Sequence, residues 1–392
     1  MGSRSRSTLV IRAHSARGIT VKILQVLPGL ESGGVEKGTL EIASAAVSAG
    51  YQSFVLSAGG RMVQPLEQQG STHICWDIGK KSLLTLFEVR KIRKWLQAEK
   101  FDVVHVRSRM PAWIIWMAWN KMDPQTRPKL ISTVHGMHSV SKYSAIMTCG
   151  EQVIAVSESI EQYILDNYPN CSADKINLIY RGIEAEKFPA EYQASATWIN
   201  GWYAQFPQTK NKLVLTLPGR LTRLKGHLAF LEMFAELQQQ NTEVIALIVG
   251  DEDPKRVQYA KELRERVEHL ALSEQVIFTG HRSDMREIYS ISNIVFSLSS
   301  KPESFGRTVL EALSMGTPVV GYDHGGVSEI LRMLFPEGAV AVNNKNKLLE
   351  ITARILKKEH DKIIPNDSFL LSNMQTQTLA LYRKVTQLKG AA

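Results

Sequence analysis

From Val21 onward, short aliphatic and β-branched runs alternate with longer stretches whose apolar positions recur every three to four residues. That alternation predicts strands joined by crossover helices, hence a parallel sheet. The first series places strands at Val21–Leu27, Gln52–Leu56, His73–Ile78, Val103–Val106, Leu130–Val134, Gln152–Val156 and Ile176–Ile179. The pattern then breaks: residues 184–212 are polar and aromatic, contain Pro189 and Pro207, and carry no strand period. A second series follows at Leu213–Leu217, Glu243–Val249, Gln275–Thr279, Ile294–Ser297, Pro318–Gly321 and Ala339–Val342, and the tail Asp367–Leu388 is helical in period. The expected organisation is a leader over 1–20, one doubly wound α/β domain over 21–205, a second over 206–366, and a C-terminal helix over 367–392 that can pack on either domain and is placed back on the first.

Composition narrows this picture little. The chain of 392 residues, 44% apolar, is long enough for two cores. Its longest apolar runs, such as Ala112–Trp119 and Val244–Val249, fall short of the roughly 20 residues that span a bilayer. Cys75, Cys149 and Cys171 show neither CxxC spacing nor neighbouring histidines, so a reducing cytoplasm is expected, without a zinc site. The net charge of +9 falls to +5 once residues 1–20 are set aside, because Arg4, Arg6, Arg12 and Arg17 lie there without an acidic neighbour. That leader has the composition of a transit peptide, but its apolar stretch is too short for a secretory signal, and the reading preferred is an extension without function.

Three segments carry chemistry. The first, Pro28-Gly29-Leu30-Glu31-Ser32-Gly33-Gly34-Val35-Glu36, lies between a strand and a helix; Gly33 and Gly34 let a backbone approach an anion at the helix start, or simply form a tight turn. The second, Leu217-Pro218-Gly219-Arg220-Leu221-Thr222-Arg223-Leu224-Lys225-Gly226, follows the first strand of the second series. There Arg220 and Lys225 would bring two cations to a site beyond the strand ends, suited to a diphosphate, unless the loop is merely solvated. The third runs from Lys301 to Pro318 and holds Glu303 in a loop, Gly306 at a helix start, and Thr308 and Glu311 on adjoining helical faces.

In this order the three segments resemble the large retaining glycosyltransferase family 4, which includes many bacterial lipopolysaccharide, capsule and phosphatidylinositol mannosyl transferases. The likeness runs from Val21 to Leu388 and is strongest over Glu303 to Gly326. Thr133-Val134-His135-Gly136, Val156-Ser157-Glu158, Tyr180-Arg181-Gly182-Ile183, Val276-Ile277-Phe278-Thr279-Gly280 and Gly325-Gly326-Val327-Ser328-Glu329 support it. The resemblance implies the GT-B fold: two Rossmann-like α/β domains facing each other across a cleft, acceptor domain first and nucleotide-sugar donor domain second. It implies that Arg220 and Lys225 hold the donor diphosphate and that Glu311 binds the ribose hydroxyls. Glu303 would sit at the transferred sugar, with the backbone of Ser304, Phe305 and Gly306 closing on sugar and phosphate. His135 would lie across the cleft near the anomeric carbon, and Gly33, Gly34 and Arg282 would complete the donor contacts. Where many relatives have Asn-Gly, this chain has Arg181-Gly182, which leaves that contact open.

The resemblance thus implies a cytoplasmic, metal-independent hexosyltransferase using a donor of the UDP or GDP type. A glycan or lipid-linked acceptor, in lipopolysaccharide or other cell-envelope synthesis, is expected, with no nucleic acid and no further cofactor. A sugar-nucleotide 2-epimerase of the same fold is the alternative; a non-catalytic relative would usually lack Glu303 or the Arg220/Lys225 pair. A nicotinamide dehydrogenase is disfavoured because the first turn lacks G-x-G-x-x-G. Asp251-Glu252-Asp253 formally offers a metal motif, although adjacent carboxylates are usually solvated. Ser82–Gln97 reads as an amphipathic helix with Leu83, Leu84, Phe87, Ile92 and Leu96 beside Arg90, Lys91, Arg93 and Lys94. Such a helix either rests on anionic lipid at the inner face of the plasma membrane or packs as an ordinary surface helix. Trp113, Trp116 and Trp119 are expected in the core rather than at a lipid interface.

Overall fold

In the computed structural model, residues 21–31, 33–80, 82–240, 243–252 and 257–390 are described. The leader over 1–20 and Asp253 lie outside them. Two all-parallel sheets form. The first comprises β1 (Lys22–Val26), β2 (Gln52–Ser57), β3 (Thr72–Cys75), β4 (Val103–Val106), β5 (Lys129–Val134), β6 (Gln152–Ala155) and β7 (Ile176–Leu178), ordered β3-β2-β1-β4-β5-β6-β7. The second comprises β8 (Leu213–Pro218), β9 (Val244–Val249), β10 (Val276–Gly280), β11 (Ile294–Ser297), β12 (Val319–Tyr322) and β13 (Ala339–Val340), ordered β10-β9-β8-β11-β12-β13. All thirteen strands fall where the apolar runs place them.

A strand buried on both faces needs an unbroken apolar run, and β9, Val-Ile-Ala-Leu-Ile-Val, is buried at every position. In β1 the departure is Gln25, 1% exposed, whose Nε2 donates to the Thr39 carbonyl at 3.1 Å. The strand order reverses beside β1 in one sheet and beside β8 in the other. Connections leave such a strand towards opposite faces, which opens a crevice at its carboxyl end. Both glycine-bearing segments lie at these two crevices.

The C-terminal helix Leu371–Gly390 packs on the first sheet, where Leu371, Met374, Leu381 and Tyr382 cluster with Ile23, Val103 and Ile154. The chain therefore crosses between sheets twice, and the crossings touch: Ile183 N donates to the Phe369 carbonyl at 3.1 Å and Leu371 N to the Ile183 carbonyl at 2.9 Å. Gly182 permits this approach, since a Cβ there would sit 2.2 Å from the Leu370 carbonyl carbon.

Two expectations need correcting. The helix Ala196–Gln205, assigned to the first domain by the boundary at 205, packs on the second sheet, with Trp202 among Val214, Ile245 and Leu247. Its aromatic side chains find an apolar face there that the strandless pattern of 184–212 did not reveal. In the basic helix, which spans Leu83–Glu99, Ile92 and Leu96 are buried but Phe87 is 73% exposed, off the apolar stripe assigned to it. The side chains of Leu83 and Leu84 lie outside the description. Trp113, Trp116 and Trp119 pack against the core of the first sheet, Trp119 at 6% exposure. Among the described residues, no helix is long and apolar enough to cross a membrane, and the three cysteines are free.

Candidate active site

The loop after β8 is shaped by two glycines. Gly226 has φ 77°, and a Cβ there would lie 1.9 Å from the Leu298 carbonyl oxygen. Only glycine lets this turn close against the end of β11, where Ser300 N donates to the Leu224 carbonyl at 2.8 Å. That closure delivers the Lys225 ammonium to 2.7 Å from Glu303 Oε1. Ser299 Oγ donates to the same carboxylate oxygen. Burial works to raise the Glu303 pKa, but the charge and hydrogen bond of Lys225, with Ser299 behind them, prevail and hold it below the ordinary carboxylate value. Arg220 stands exposed beyond β8.

Behind Glu303 the chain is wedged against the helix Gly325–Leu334. Gly326 N donates to the Glu303 carbonyl at 2.8 Å, and a Cβ on Gly326 would come within 2.4 Å of Phe305 Cα. Ser304 is half-buried, and the Phe305 ring is buried in the core against Phe369, so Phe305 faces the cleft with backbone alone. Gly306, φ 124°, precedes the helix Arg307–Ser314, whose first N–H groups have no intrahelical acceptor. One turn further in, Glu311 is 8% exposed, accepting from Arg307 Nε at 3.1 Å and Tyr289 Oη at 3.2 Å.

Across the cleft, Gly33 caps the helix Gly34–Ser48 with φ 134°. The space left by Gly34 is filled by Arg181, whose Nη1 donates to the Gly34 carbonyl at 2.7 Å and would lie 2.9 Å from a Cβ on that residue. Arg181 Nη2 donates to His135 Nδ1 at 2.6 Å. A guanidinium only donates, so Nδ1 is the acceptor and the imidazole proton sits on Nε2. His135 Nε2 is sealed and lacks a partner among the described residues. Burial first, then the charges of Arg181 and Arg107, push the His135 pKa well below its usual value, so the ring is neutral.

Sequence reasoning passed over the residues that join the halves. Arg307 Nη2 lies 3.2 Å from Glu41 Oε1 on the Gly34–Ser48 helix, linking the Glu311 carboxylate to the opposite domain. Lys37, one turn before Glu41, has its pKa lowered, by burial first and then by Arg307. Their i, i+4 spacing on one helical face was the available signal. Glu329 reaches from the second domain to the start of the helix Glu158–Asn167, accepting from Glu158 N and Ser159 N, each at 2.8 Å, and from Ser159 Oγ at 2.5 Å. A groove of about 740 Å³ opens between these two helices, bounded by Met137, Pro302 and Gly325.

Arg282 is not brought to this group. Its guanidinium is held by Asp284 at 2.9 and 2.5 Å and lies over the Trp202 ring. Asp251 pairs with His281 at 3.6 Å and Glu252 with Arg264. Among the described residues, no cluster of three His, Cys, Asp or Glu side chains is arranged to hold a metal.

Two family models match the chain: "Glycosyltransferase Family 4" over residues 32–187 and "Glycosyl transferases group 1" over residues 202–367. A glycosyltransferase from Rickettsia africae superposes with a TM-score of 0.82 at 28% identity, covering 93% of this chain and 98% of that one. Anabaena Alr3699/HepE, solved with UDP and glucose, superposes at 0.76 with 21% identity, covering 93% and 100%, a likeness of fold. The lipopolysaccharide core mannosyltransferase LpcC of Rhizobium leguminosarum is 32% identical over 113 residues, 29% of this chain and 32% of that protein. Among the curated relatives matched first, the chain spans 59%, 27% and 63% of their lengths.

Proposed function

The chain belongs to the group 1 glycosyltransferases of GT-B fold, and from that premise we propose that it transfers a hexose or related sugar from a nucleotide-diphosphate donor with retention of configuration. The acceptor in this reading is a glycan or lipid-linked sugar of the cell envelope, supported by the likeness to a lipopolysaccharide core mannosyltransferase. The carrying observation is the pairing of Lys225 with Glu303 at 2.7 Å, beside the open helix start at Gly306 and the Glu311 carboxylate. The solved relative that holds UDP and glucose supports a UDP-type donor.

In this mechanism the ribose hydroxyls donate to Glu311 and the diphosphate rests on the N–H groups following Gly306, with Arg220 and Lys225 as counter-charges. The bond from the anomeric carbon to the phosphate oxygen breaks, its electron pair leaving with the diphosphate. The acceptor oxygen bonds to the same face of that carbon, and its proton passes to the departing phosphate oxygen. Glu303, already bound by Lys225 and Ser299, serves to orient the sugar and the ammonium rather than to attack. His135, neutral and bearing its proton on Nε2, acts as a hydrogen-bond donor. The cations of the protein neutralise the leaving group, so the reaction proceeds without a divalent metal. In this reading the enzyme works in the cytoplasm, and the exposed Phe87 among the cations of the helix Leu83–Glu99 supports contact with the inner face of the plasma membrane.

The test is a calorimetric panel of UDP- and GDP-sugars in EDTA, followed by transfer assays. A donor at 100 times its dissociation constant should stabilise the protein by about 2.7 kcal/mol. Product NMR should show the donor's anomeric configuration, and donor alone should yield no epimer. Inverted product, metal-reversible loss of transfer in EDTA, or epimer without acceptor would each overturn the corresponding part.

A further inference from the structure

Behind His135 the first sheet buries more positive charge than its own groups neutralise. Arg107, just past β4, is 6% exposed. Its Nη1 reaches Thr39 Oγ1 at 3.3 Å, and its Nε has no partner among the described residues. Arg181 spends its hydrogen bonds on two neutral acceptors, the Gly34 carbonyl and His135 Nδ1. Burial lowers the pKa of both guanidiniums, that of Arg181 to about 10, with Arg107 the next cause there. Glu41 favours both charges and Glu36 that of Arg181, but the Glu41 carboxylate is bound by Arg307. Desolvated cations without a hydrogen-bonded counter-charge are among the costliest arrangements in a protein, and an anion supplied from outside relieves the cost.

A place for one exists. Arg107, Arg181, His135 and Thr133 line a cavity of about 20 Å³, walled on one side by Gly38 and closed by Met374 of the C-terminal helix. That is room for one water-sized group. Of the residues lining it, His135 and Arg181 are those not fully buried, so they form the part of its wall nearest solvent. His135 Nε2–H and Arg107 Nε are both free to donate.

We propose that this cavity receives one oxygen of an anionic group, a phosphate or carboxylate, carried by the sugar acceptor, and that Arg107 and Arg181 are the residues that select for it. Arg181 then turns from the Gly34 carbonyl to bracket the remaining oxygens at the cavity mouth. The proposal rests on the reading of the chain as a glycosyltransferase whose acceptor lies on the first domain. Its rival is a neutral acceptor, for which the carboxylates of Glu158, Glu161 and Asp166 along the neighbouring groove would be better suited.

The probe is inorganic phosphate, titrated calorimetrically at constant ionic strength into the full chain saturated with UDP, which fills the donor's diphosphate site. Saturable binding is expected. Arg181→Gln and Arg107→Gln should weaken it at least about tenfold, the scale of lost charge-assisted hydrogen bonds, with UDP affinity kept within about twofold. Arg181 is less completely buried than Arg107 and keeps an edge at the surface, so that variant keeps the test decisive if the Arg107 variant fails to fold. Competition by a hexose 6-phosphate, a hexuronate and the neutral hexose then separates phosphate from carboxylate. No saturable phosphate binding, binding unchanged in Arg181→Gln, or a neutral hexose competing as well as the anionic sugars would overturn the proposal. Failure of UDP and nucleotide sugars to bind would instead overturn the donor reading, and the comparison of wild type with Arg181→Gln in phosphate alone would still decide this one.

Discussion

Lys225 and Glu311 both face the donor in the proposed mechanism, but they meet parts of it that change differently during reaction. Ribose hydroxyls keep their charge as the glycosidic bond breaks, so Glu311→Gln should chiefly raise the donor KM, the pattern of lost uniform binding. Gln is preferred to Ala because Tyr289 Oη and Arg307 Nε both donate to this nearly buried carboxylate. The diphosphate gains charge in the transition state, so Lys225→Ala should lower kcat by roughly 10²–10³-fold, as removal of an oxyanion donor does. Steady-state kinetics with saturating acceptor decide the matter, and an unchanged kcat in folded Lys225→Ala would reassign the lysine. The sequence put Lys225, Glu303, Gly306 and Glu311 together because they lie in two short segments at the ends of adjacent strands. It did not reveal Arg307–Glu41, Arg107 or the hold of Arg181 on His135, because such contacts link positions far apart in the chain and leave no local period. Arg282 shows the converse: its position by resemblance was clear, but its side chain turns to Asp284 and Trp202.

At the level of elements, most strands were legible because they are buried apolar runs closed by a turn or a helix, while the edge strands β3 and β7, only partly buried, were legible from their place in the regular alternation of strands and helices. The helix Ala196–Gln205 was not, since aromatic residues without a clear period look the same in a linker as in a packed helix. The helix Leu83–Glu99 was legible in extent, whereas its use depends on which side chains point outward. Ile92 and Leu96 anchor it, leaving Phe87 at 73% and Leu86 at 43% exposure beside Arg90, Lys91 and Lys94, which are exposed as well. An apolar tip ringed by cations suits an anionic bilayer. Neutralising Arg90, Lys91, Arg93 and Lys94 together should reduce binding to phosphatidylserine-containing vesicles by about 1 kcal/mol per charge, and added salt should do the same to the wild type. Equal sedimentation of the two proteins with vesicles would leave Leu83–Glu99 an ordinary surface helix.

On the scale of the whole molecule, several histidines are buried in their neutral form. Burial lowers the pKa of His227 to about 4 and pushes those of His105 and His135 well below 6.5. The unfolded chain takes up protons near pH 6.5 that the folded chain refuses, so stability is full above 6.5 and falls as the pH drops towards 4. Each such histidine should remove about 1 kcal/mol by about pH 5.5, and denaturant titrations between pH 7.5 and 4.5 measure the slope. A flat profile would show these rings to be solvated. The two-domain organisation was visible in the paired strand series, but the return of the Leu371–Gly390 helix to the first sheet was legible only as one of two options, because its apolar stripe fits either core. That return gives the joint between domains its mechanics. Two chain segments cross side by side, tied by hydrogen bonds at Ile183 and Leu371 and seated on Gly182. A single tether would leave one body free to swivel about the other in any direction. Two bonded segments side by side are compliant to folding across their width and stiff to torsion, so the joint resists swivelling of one domain on the other more than it resists hinging.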